Sequence, residues 1–332
     1  MGALSTIVDR AIEWPVVTSF TRIGCAVRRR VAYWRPLESY DLSGRVALVT
    51  GATSGIGFAA AEALANMGAH VIVLGRDQRR TDAARRELVR LTGAQHISTV
   101  LASLDDAADV RRAAAEVMAQ HARLDIVVQN AGVLAADYRR SPMGVEQTSA
   151  AQVAGPFLLT GLLLERLELG APGRVVTVSS GGAYLASLTV SGLDPAPDAF
   201  DGSLQYARAK RAQITLTELW AERTRGRSVV FHAMHPGWVD TPGLAAALPR
   251  FRQLLRPLLR SPEEGADTIA WLAADPEAAQ TSGAFWFDRE RRPAHRIART
   301  RVADTAERRE RLWAWCESTS GWRFPRPGET GA

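Results

Sequence analysis

Tyr206 and Lys210 stand four residues apart in a stretch of helical composition, 203–223, so their side chains share one face. A phenol with an ordinary pKa of about 10 is a weak base at neutral pH, and a nearby ammonium favours its phenolate. The chain has 40 arginines and a single lysine, and that lysine falls at this spacing. A second motif is suited to phosphate. The run Thr50-Gly51-Ala52-Thr53-Ser54-Gly55-Ile56-Gly57 follows an apolar segment, Val46-Ala47-Leu48-Val49, and precedes a helical one. Glycines there let backbone N–H groups approach a pyrophosphate, and the positive end of the following helix adds its dipole.

The elements that must carry these motifs alternate along the chain. Short β-branched runs at 45–50, 70–74, 96–101, 125–128, 174–179, 228–234 and 284–287 are separated by Ala- and Leu-rich stretches at 57–66, 81–91, 105–121, 144–169 and 203–223. Strand–helix alternation predicts a parallel sheet covered on both faces, and continuous apolar runs suit doubly buried strands. The fold class is α/β: a single Rossmann-like, doubly wound domain over 41–288, with about seven strands and helices on both faces. Residues 1–40 and 289–332 read as basic extensions.

Composition narrows the function. A chain of 332 residues with 46% hydrophobic and 23% charged residues is that of a soluble globular protein. No run of 18 apolar residues occurs, and the first residues lack the order of a secretory signal. Cys25 and Cys316 lie near opposite ends and suit a reducing, cytoplasmic setting. Residues 1–40 hold six Arg against three acids, and 286–332 eleven Arg against seven, leaving 41–285 with a net charge of −1. A neutral body argues against nucleic acid as a partner.

The motifs, in order, resemble those of the short-chain dehydrogenase/reductase family over roughly 43–288, and its retinol-dehydrogenase-like branch in particular. Thr-Gly-x-x-x-Gly-Ile-Gly matches the family's cofactor loop. Asn130-Ala131-Gly132 follows the fourth strand, with Gln129 where the family has a further Asn. Ser179-Ser180 closes the fifth strand, Tyr206-Ala-Arg-Ala-Lys210 opens the next helix, and Pro236-Gly237 with Val239 and Thr241 follows the sixth. The resemblance implies a nicotinamide dinucleotide held by Gly51, Thr53, Ser54, Gly55, Ile56, Gly57, Asn130, Ala131, Gly132, Pro236, Gly237, Val239 and Thr241. It implies Tyr206 as general acid/base, Lys210 as its pKa modulator and ribose anchor, and Ser180 as the donor to the substrate oxygen, with Ser179 structural. The second strand ends Val73-Leu74-Gly75-Arg76, with no acid for ribose hydroxyls and a guanidinium suited to a 2′-phosphate, so the expected cofactor is NADP(H).

Two positions depart from the family pattern. Gln152 stands where the family's catalytic helix has Asn, which moves the amide out by about one C–C bond, roughly 1.5 Å. Ser103-Leu104 replaces the Asp-Leu pair that meets the adenine amino group. These departures motivate an alternative: a cofactor-binding scaffold or sensor without turnover. The excess between Ser180 and Tyr206, roughly 185–202, reads as a loop beside the site. Residues 242–260 place seven leucines and phenylalanines among arginines and prolines. The family has a lid there, which suits a small hydrophobic carbonyl or alcohol; a helix covering core fits the pattern equally well. Residues 19–35 form a basic amphipathic helix that either lies on an anionic membrane or packs on the body or a second subunit in a homo-oligomer. The C-terminal helix, about 303–317, has the same two readings. His232 and His235 lack the partners of a zinc site, so no metal is expected.

Overall fold

Seven strands, each buried by helices on both faces, set the frame: β1 (Val46–Thr50), β2 (His70–Gly75), β3 (Ile97–Leu101), β4 (Ile126–Gln129), β5 (Gly173–Val178), β6 (Val229–Met234) and β7 (Ala284–Phe287). They are parallel in the order β3-β2-β1-β4-β5-β6-β7. These features come from a computed structural model that describes residues 16–325 apart from 133 and 171, together with Asp9 and Glu13. The remaining parts of the two extensions lie outside the described residues. A two-residue β8 (Glu290–Arg291) adds an antiparallel edge, so the sheet has eight strands where the sequence pattern predicts about seven.

The helices are α1 (Val16–Phe20), α2 (Arg22–Val31), α3 (Gly55–Asn66), α4 (Gln78–Thr92), α5 (Ala107–Gln120), α6 (Gly155–Glu168), α7 (Gly202–Arg223), α8 (Pro242–Ala247), α9 (Pro249–Leu255), α10 (Pro262–Ala274), α11 (Ala298–Val302) and α12 (Ala306–Ser320). One face of the sheet packs under α3, α4 and α10, the other under α5, α6, α7 and α12. The C-terminal α12 is part of that second layer: Leu312 and Cys316 are fully buried, and Trp313 meets Phe157 and Trp220 with ring centroids 4.9 Å away in each case. The N-terminal pair α1–α2 also packs on the body, through Phe20 and Cys25. Among the described residues no helix is long and apolar enough to cross a membrane.

The β7–β8 hairpin explains why its strand is hard to read from sequence. Its two turn residues, Asp288 and Arg289, both have positive φ, 54° and 58°, where glycine or asparagine is the usual choice. Ion pairs hold them there. Asp288 accepts from Arg260 Nη1 at 2.5 Å and from Nη2 at 2.8 Å, and from Arg28 Nη1 at 2.8 Å. Arg289 grips Asp267 through two bonds of 2.7 Å. Burial alone would raise the Asp288 pKa, but the two guanidiniums outweigh it and hold the carboxyl below its ordinary value. Its contribution to stability is therefore present above the ordinary carboxylate range and is lost as pH falls through the lowered pKa. Asn tolerates the turn geometry but removes the charge, so Asp288→Asn isolates the ion cluster. We expect it to lose about 3–5 kcal/mol in urea unfolding, the cost of leaving buried charges uncompensated. A wild-type midpoint would mean that packing, not charge, holds the turn.

Candidate active site

The carboxyl ends of the parallel strands open on one edge, and the chain reverses direction between β1 and β4, where α/β sheets form a ligand crevice. The loop from β1 to α3 lies directly on the segment after β4. A Cβ on Gly51 would stand 2.9 Å from Ala131 Cα, and one on Gly57 2.3 Å from Asn130 Nδ2. Asn130 donates from Nδ2 to the carbonyls of Thr50 at 3.1 Å and Gly51 at 3.3 Å. The Thr50 hydroxyl in turn accepts from the N–H groups of Asn130 and Ala131, each at 3.0 Å. Ser54 makes no side-chain cap on α3, and its first turn has no acid, which leaves the helix start open to an anion. Thr241 faces this start, 3.2 Å from where a Gly55 Cβ would be. The open helix start and the glycine positions with no space for a Cβ fit the diphosphate of a dinucleotide.

At the end of β2, a Cβ on Gly75 would lie 2.2 Å from Thr81 Oγ1 and 2.8 Å from Thr53 Cγ2, so an acid at this position would need both to move. Arg76 is exposed, and Asp77 beside it is occupied as the N-cap of α4, accepting from Arg80 N at 2.9 Å. Ser103 and Leu104 lie against α6, whose Gly155 leaves room for the Leu104 carbonyl. The Ser103 hydroxyl bonds Asp105, and Gln147 Nε2 donates to the other oxygen of Asp105 at 2.7 Å. A carboxylate is thus present two residues beyond the expected place.

The proposed reacting groups converge at the ends of β5 and α7. Ser180 follows β5 and caps the turn Gly181–Leu185, accepting from Gly182 N at 3.2 Å, and its hydroxyl lies near enough to the Tyr206 phenol to favour the phenolate. Lys210 is buried and donates from Nζ to the Val178 carbonyl at 2.9 Å, with Nζ 5.3 Å from the Tyr206 ring centroid. Ser179 points elsewhere and donates to the Lys210 carbonyl at 2.8 Å, a structural bond. Burial raises the Tyr206 pKa and the Ser180 bond lowers it, with burial prevailing. Burial also draws Lys210 down to about 7. Burial thus works against the charged form of both groups in the cofactor-free protein.

Gln152 sits in a π-helical stretch, Ala150–Ala154, that leads into α6, a local widening often found at functional sites. Its amide reaches the same corner as Lys210: a Cβ on Gly132 would lie 2.9 Å from Gln152 Oε1 and 3.3 Å from Lys210 Nζ. The supporting bonds of three residues, of which sequence singles out only Gln129, escaped the sequence reading. Gln213 Nε2 donates to the Gln152 carbonyl at 2.7 Å. Gln129 donates to the Pro156 carbonyl at 3.0 Å and accepts from Thr177 Oγ1 at 3.0 Å, tying β4 to α6 and β5. Arg211, fully buried, donates to the Ala183 and Ala186 carbonyls and so pins the turn beyond Ser180 to α7. A buried guanidinium next to the only lysine was the available signal, but sequence gives no burial for a single arginine among 40.

Pro236, Gly237 and Val239 lie in the loop after β6; Gly237 has a φ of +79°, and Val239 is buried beside the start of α10. Beyond them α8 and α9 form a flap held by Trp238 against Phe251, centroids 5.2 Å apart, and by Arg252 on Asp240. His232 accepts from Trp286 Nε1 at 3.0 Å and also bonds the Ala278 carbonyl, while His235 stacks on Phe287. No group able to hold a metal occurs among the described residues. Both cysteines are buried, and burial pushes the Cys25 thiol up to about 12.

A sequence model described as short chain dehydrogenase matches residues 45–250. The chain is 38% identical over 269 residues to human dehydrogenase/reductase SDR family member 12, covering 80% of this chain and 84% of that protein. It is 33% identical to mouse retinol dehydrogenase 11, over 76% of this chain and 80% of the relative. Among solved structures, a Mycobacterium paratuberculosis protein superposes with a TM-score of 0.69 at 26% identity, covering 88% of this chain and 99% of that one. A Shigella flexneri short chain dehydrogenase complexed with NADP gives 0.60 at 25% identity, over 75% and 98% of the two chains. With crevice, glycine loop and Ser-Tyr-Lys cluster all in order, the chain belongs to the short-chain dehydrogenase/reductase family, in its retinol-dehydrogenase-like branch.

Proposed function

We propose that this oxidoreductase interconverts a carbonyl and an alcohol on a small hydrophobic substrate with NADP(H), Tyr206 moving the proton. The observation that carries the reading is the convergence on the Tyr206 phenol, beside the glycine crevice, of Ser180 and of the Lys210 nitrogen, 5.3 Å from the ring centroid. Gly51, Thr53, Ser54, Gly55, Ile56 and Gly57 would hold the diphosphate, Arg76 the 2′-phosphate, Ser103 and Leu104 the adenine, and Asn130–Gly132 with the 236–241 loop the nicotinamide half. A bound NADP(H) supplies or accepts the hydride at the carbonyl carbon. In reduction Ser180 donates to the substrate oxygen, and Tyr206, kept as the phenol by burial, gives that oxygen its proton. The Lys210 ammonium, with the Gln152 amide beside it at Gly132, would return a proton to Tyr206. Leu185, Leu204, Leu248 and Leu254 are exposed on the segments bordering Ser180 and Tyr206 and on the flap, which favours an apolar substrate.

Tyr206→Phe should abolish turnover across a panel of aldehydes, ketones and alcohols followed by NADPH absorbance, with NADPH affinity little changed. Equal turnover in that variant would remove Tyr206 from the mechanism. For cofactor choice, Arg76→Ala should weaken NADPH by about 1–3 kcal/mol, roughly 5- to 150-fold in Kd, and leave NADH nearly untouched. Parallel losses for both would mean that Arg76 serves the fold.

Because Lys210 is the only lysine, a protein labelled at lysine gives one side-chain resonance whose titration reports this amine alone. Its midpoint in the cofactor-free protein should be about 7 rather than the ordinary 10.5. The folded pKa lies below the unfolded one, so the penalty for burying the cation is complete below pH 7 and fades as pH rises towards 10.5. Wild-type stability should accordingly rise between those limits, and Lys210→Met should flatten the rise. A midpoint near the ordinary value would show the ammonium to be solvated in place.

A further inference from the structure

Phe20, in the N-terminal extension and outside the segment matched by the family, touches both loops that frame the site. The space beside Gly181, the residue after Ser180, is filled by its ring: a Cβ on Gly181 would lie 2.4 Å from Phe20 Cε2. On its other side the ring meets Trp238 edge-on, centroids 5.7 Å apart, and His235 at 4.7 Å. The Phe20 carbonyl accepts from Trp238 N at 2.8 Å and from Arg260 Nε at 3.1 Å. A Cβ on Gly237 would lie 2.8 Å from that carbonyl oxygen. One residue therefore presses on the loop after β5 and on the loop after β6.

The extension is anchored well enough to act as a support. Ser19 contributes its carbonyl to Arg260 Nη2 at 3.0 Å and to Arg28 Nη1 at 3.1 Å, and its hydroxyl accepts from Arg28 Nη2 at 3.0 Å. Arg28 and Arg260 share the Asp288 carboxylate, so the arm is joined to the end of β7 by buried charge. Phe20 itself is 5% exposed, so it acts from behind the loops. Trp238 passes the contact on to Phe251 of the flap.

We propose that Phe20 is a positioning residue of the active site: through Gly181 and Gly237–Trp238 it sets the separation between the Ser180 donor and the loop on the nicotinamide side. The functional half of this proposal rests on the NADP(H) reading above. Its physical basis is that misplacement of reacting groups by about 1 Å costs on the order of a hundredfold in rate. Removing the ring leaves space into which both loops relax, while the diphosphate loop at 51–57, which Phe20 does not touch, keeps its geometry.

The test compares wild type with Phe20→Ala, and with the milder Phe20→Leu should the alanine variant fold poorly. Amide hydrogen exchange should accelerate at Gly181–Leu185 and at 237–240 but not at 51–57. NADPH should bind less tightly, whereas 2′,5′-ADP, which carries the 2′-phosphate without the nicotinamide, should bind as to wild type. The rate on a substrate found by the panel should fall by about tenfold to a hundredfold in kcat, and Leu should restore part of it. Unchanged exchange in both loops overturns the proposal. So does a parallel weakening of NADPH and 2′,5′-ADP, which marks a general loss of structure. If wild type binds neither nucleotide, the NADP(H) reading fails, and the exchange pattern alone decides whether Phe20 positions the loops.

Discussion

One buried carboxylate, Asp288, is shared by two guanidiniums from opposite parts of the chain, of which Arg28 also pairs with Asp9. Arg28 belongs to the N-terminal helix pair and Arg260 follows the flap, and all three side chains are almost free of solvent. Removing Asp288 would leave the Arg260 guanidinium without its carboxylate in a low-dielectric setting, which is far costlier than losing an exposed pair. That constraint joins the N-terminal arm, the end of the flap and the β7 end into one unit. It also holds a non-glycine turn at positive φ, so the strain of Asp288 and Arg289 is offset by the ion pairs that need them there. The loop after β6 lies inside this unit: Asp240 N bonds the Arg260 carbonyl, and Arg260 N bonds the Trp238 carbonyl.

Burial also governs the chemistry at the other end of the site. The same desolvation that raises the Tyr206 pKa lowers that of Lys210, so burial disfavours the charged form of each. Arg211, the neighbour of Lys210, adds a positive charge in the same interior without a bonded carboxylate; its donors go to the carbonyls of Ala183 and Ala186 instead. Desolvation lowers its pKa as well. Two adjacent basic residues thus divide the work, one ending under the phenol and the other tying the turn after Ser180 to α7.

The parallel core and the glycine-rich loop after β1 were legible because their signals are local and periodic. An apolar run followed by a glycine-rich turn and a helical stretch leaves few other folds, and Tyr206 and Lys210 share a face by helix geometry alone. What sequence hid was tertiary. Phe20 lies more than two hundred residues from Trp238, and no period links them. The β8 strand is two residues long and enters through Asp-Arg rather than an Asn-Gly turn, so its signal is absent from the local chemistry. Ser103 was visible as a missing acid, yet Asp105 supplies a carboxylate next to it by a side-chain bond that spacing does not report. The two basic extensions look alike in charge, but the aromatic faces that bury them on the body become visible only once their partners are folded.

Gln152 combines a departure in residue type with a departure in backbone. Glutamine carries its amide one carbon farther than asparagine, and on an unperturbed helix that shift would move the amide away from its usual place. Here the residue lies in a π-helical segment, where wider turns displace the backbone, and Gln213 holds its carbonyl from α7. The outcome is that the amide oxygen still borders Gly132 on the side where Lys210 lies. Gly132 has no room for a side chain because these two polar groups meet over it, so side-chain length, helix register and the missing Cβ at position 132 act together.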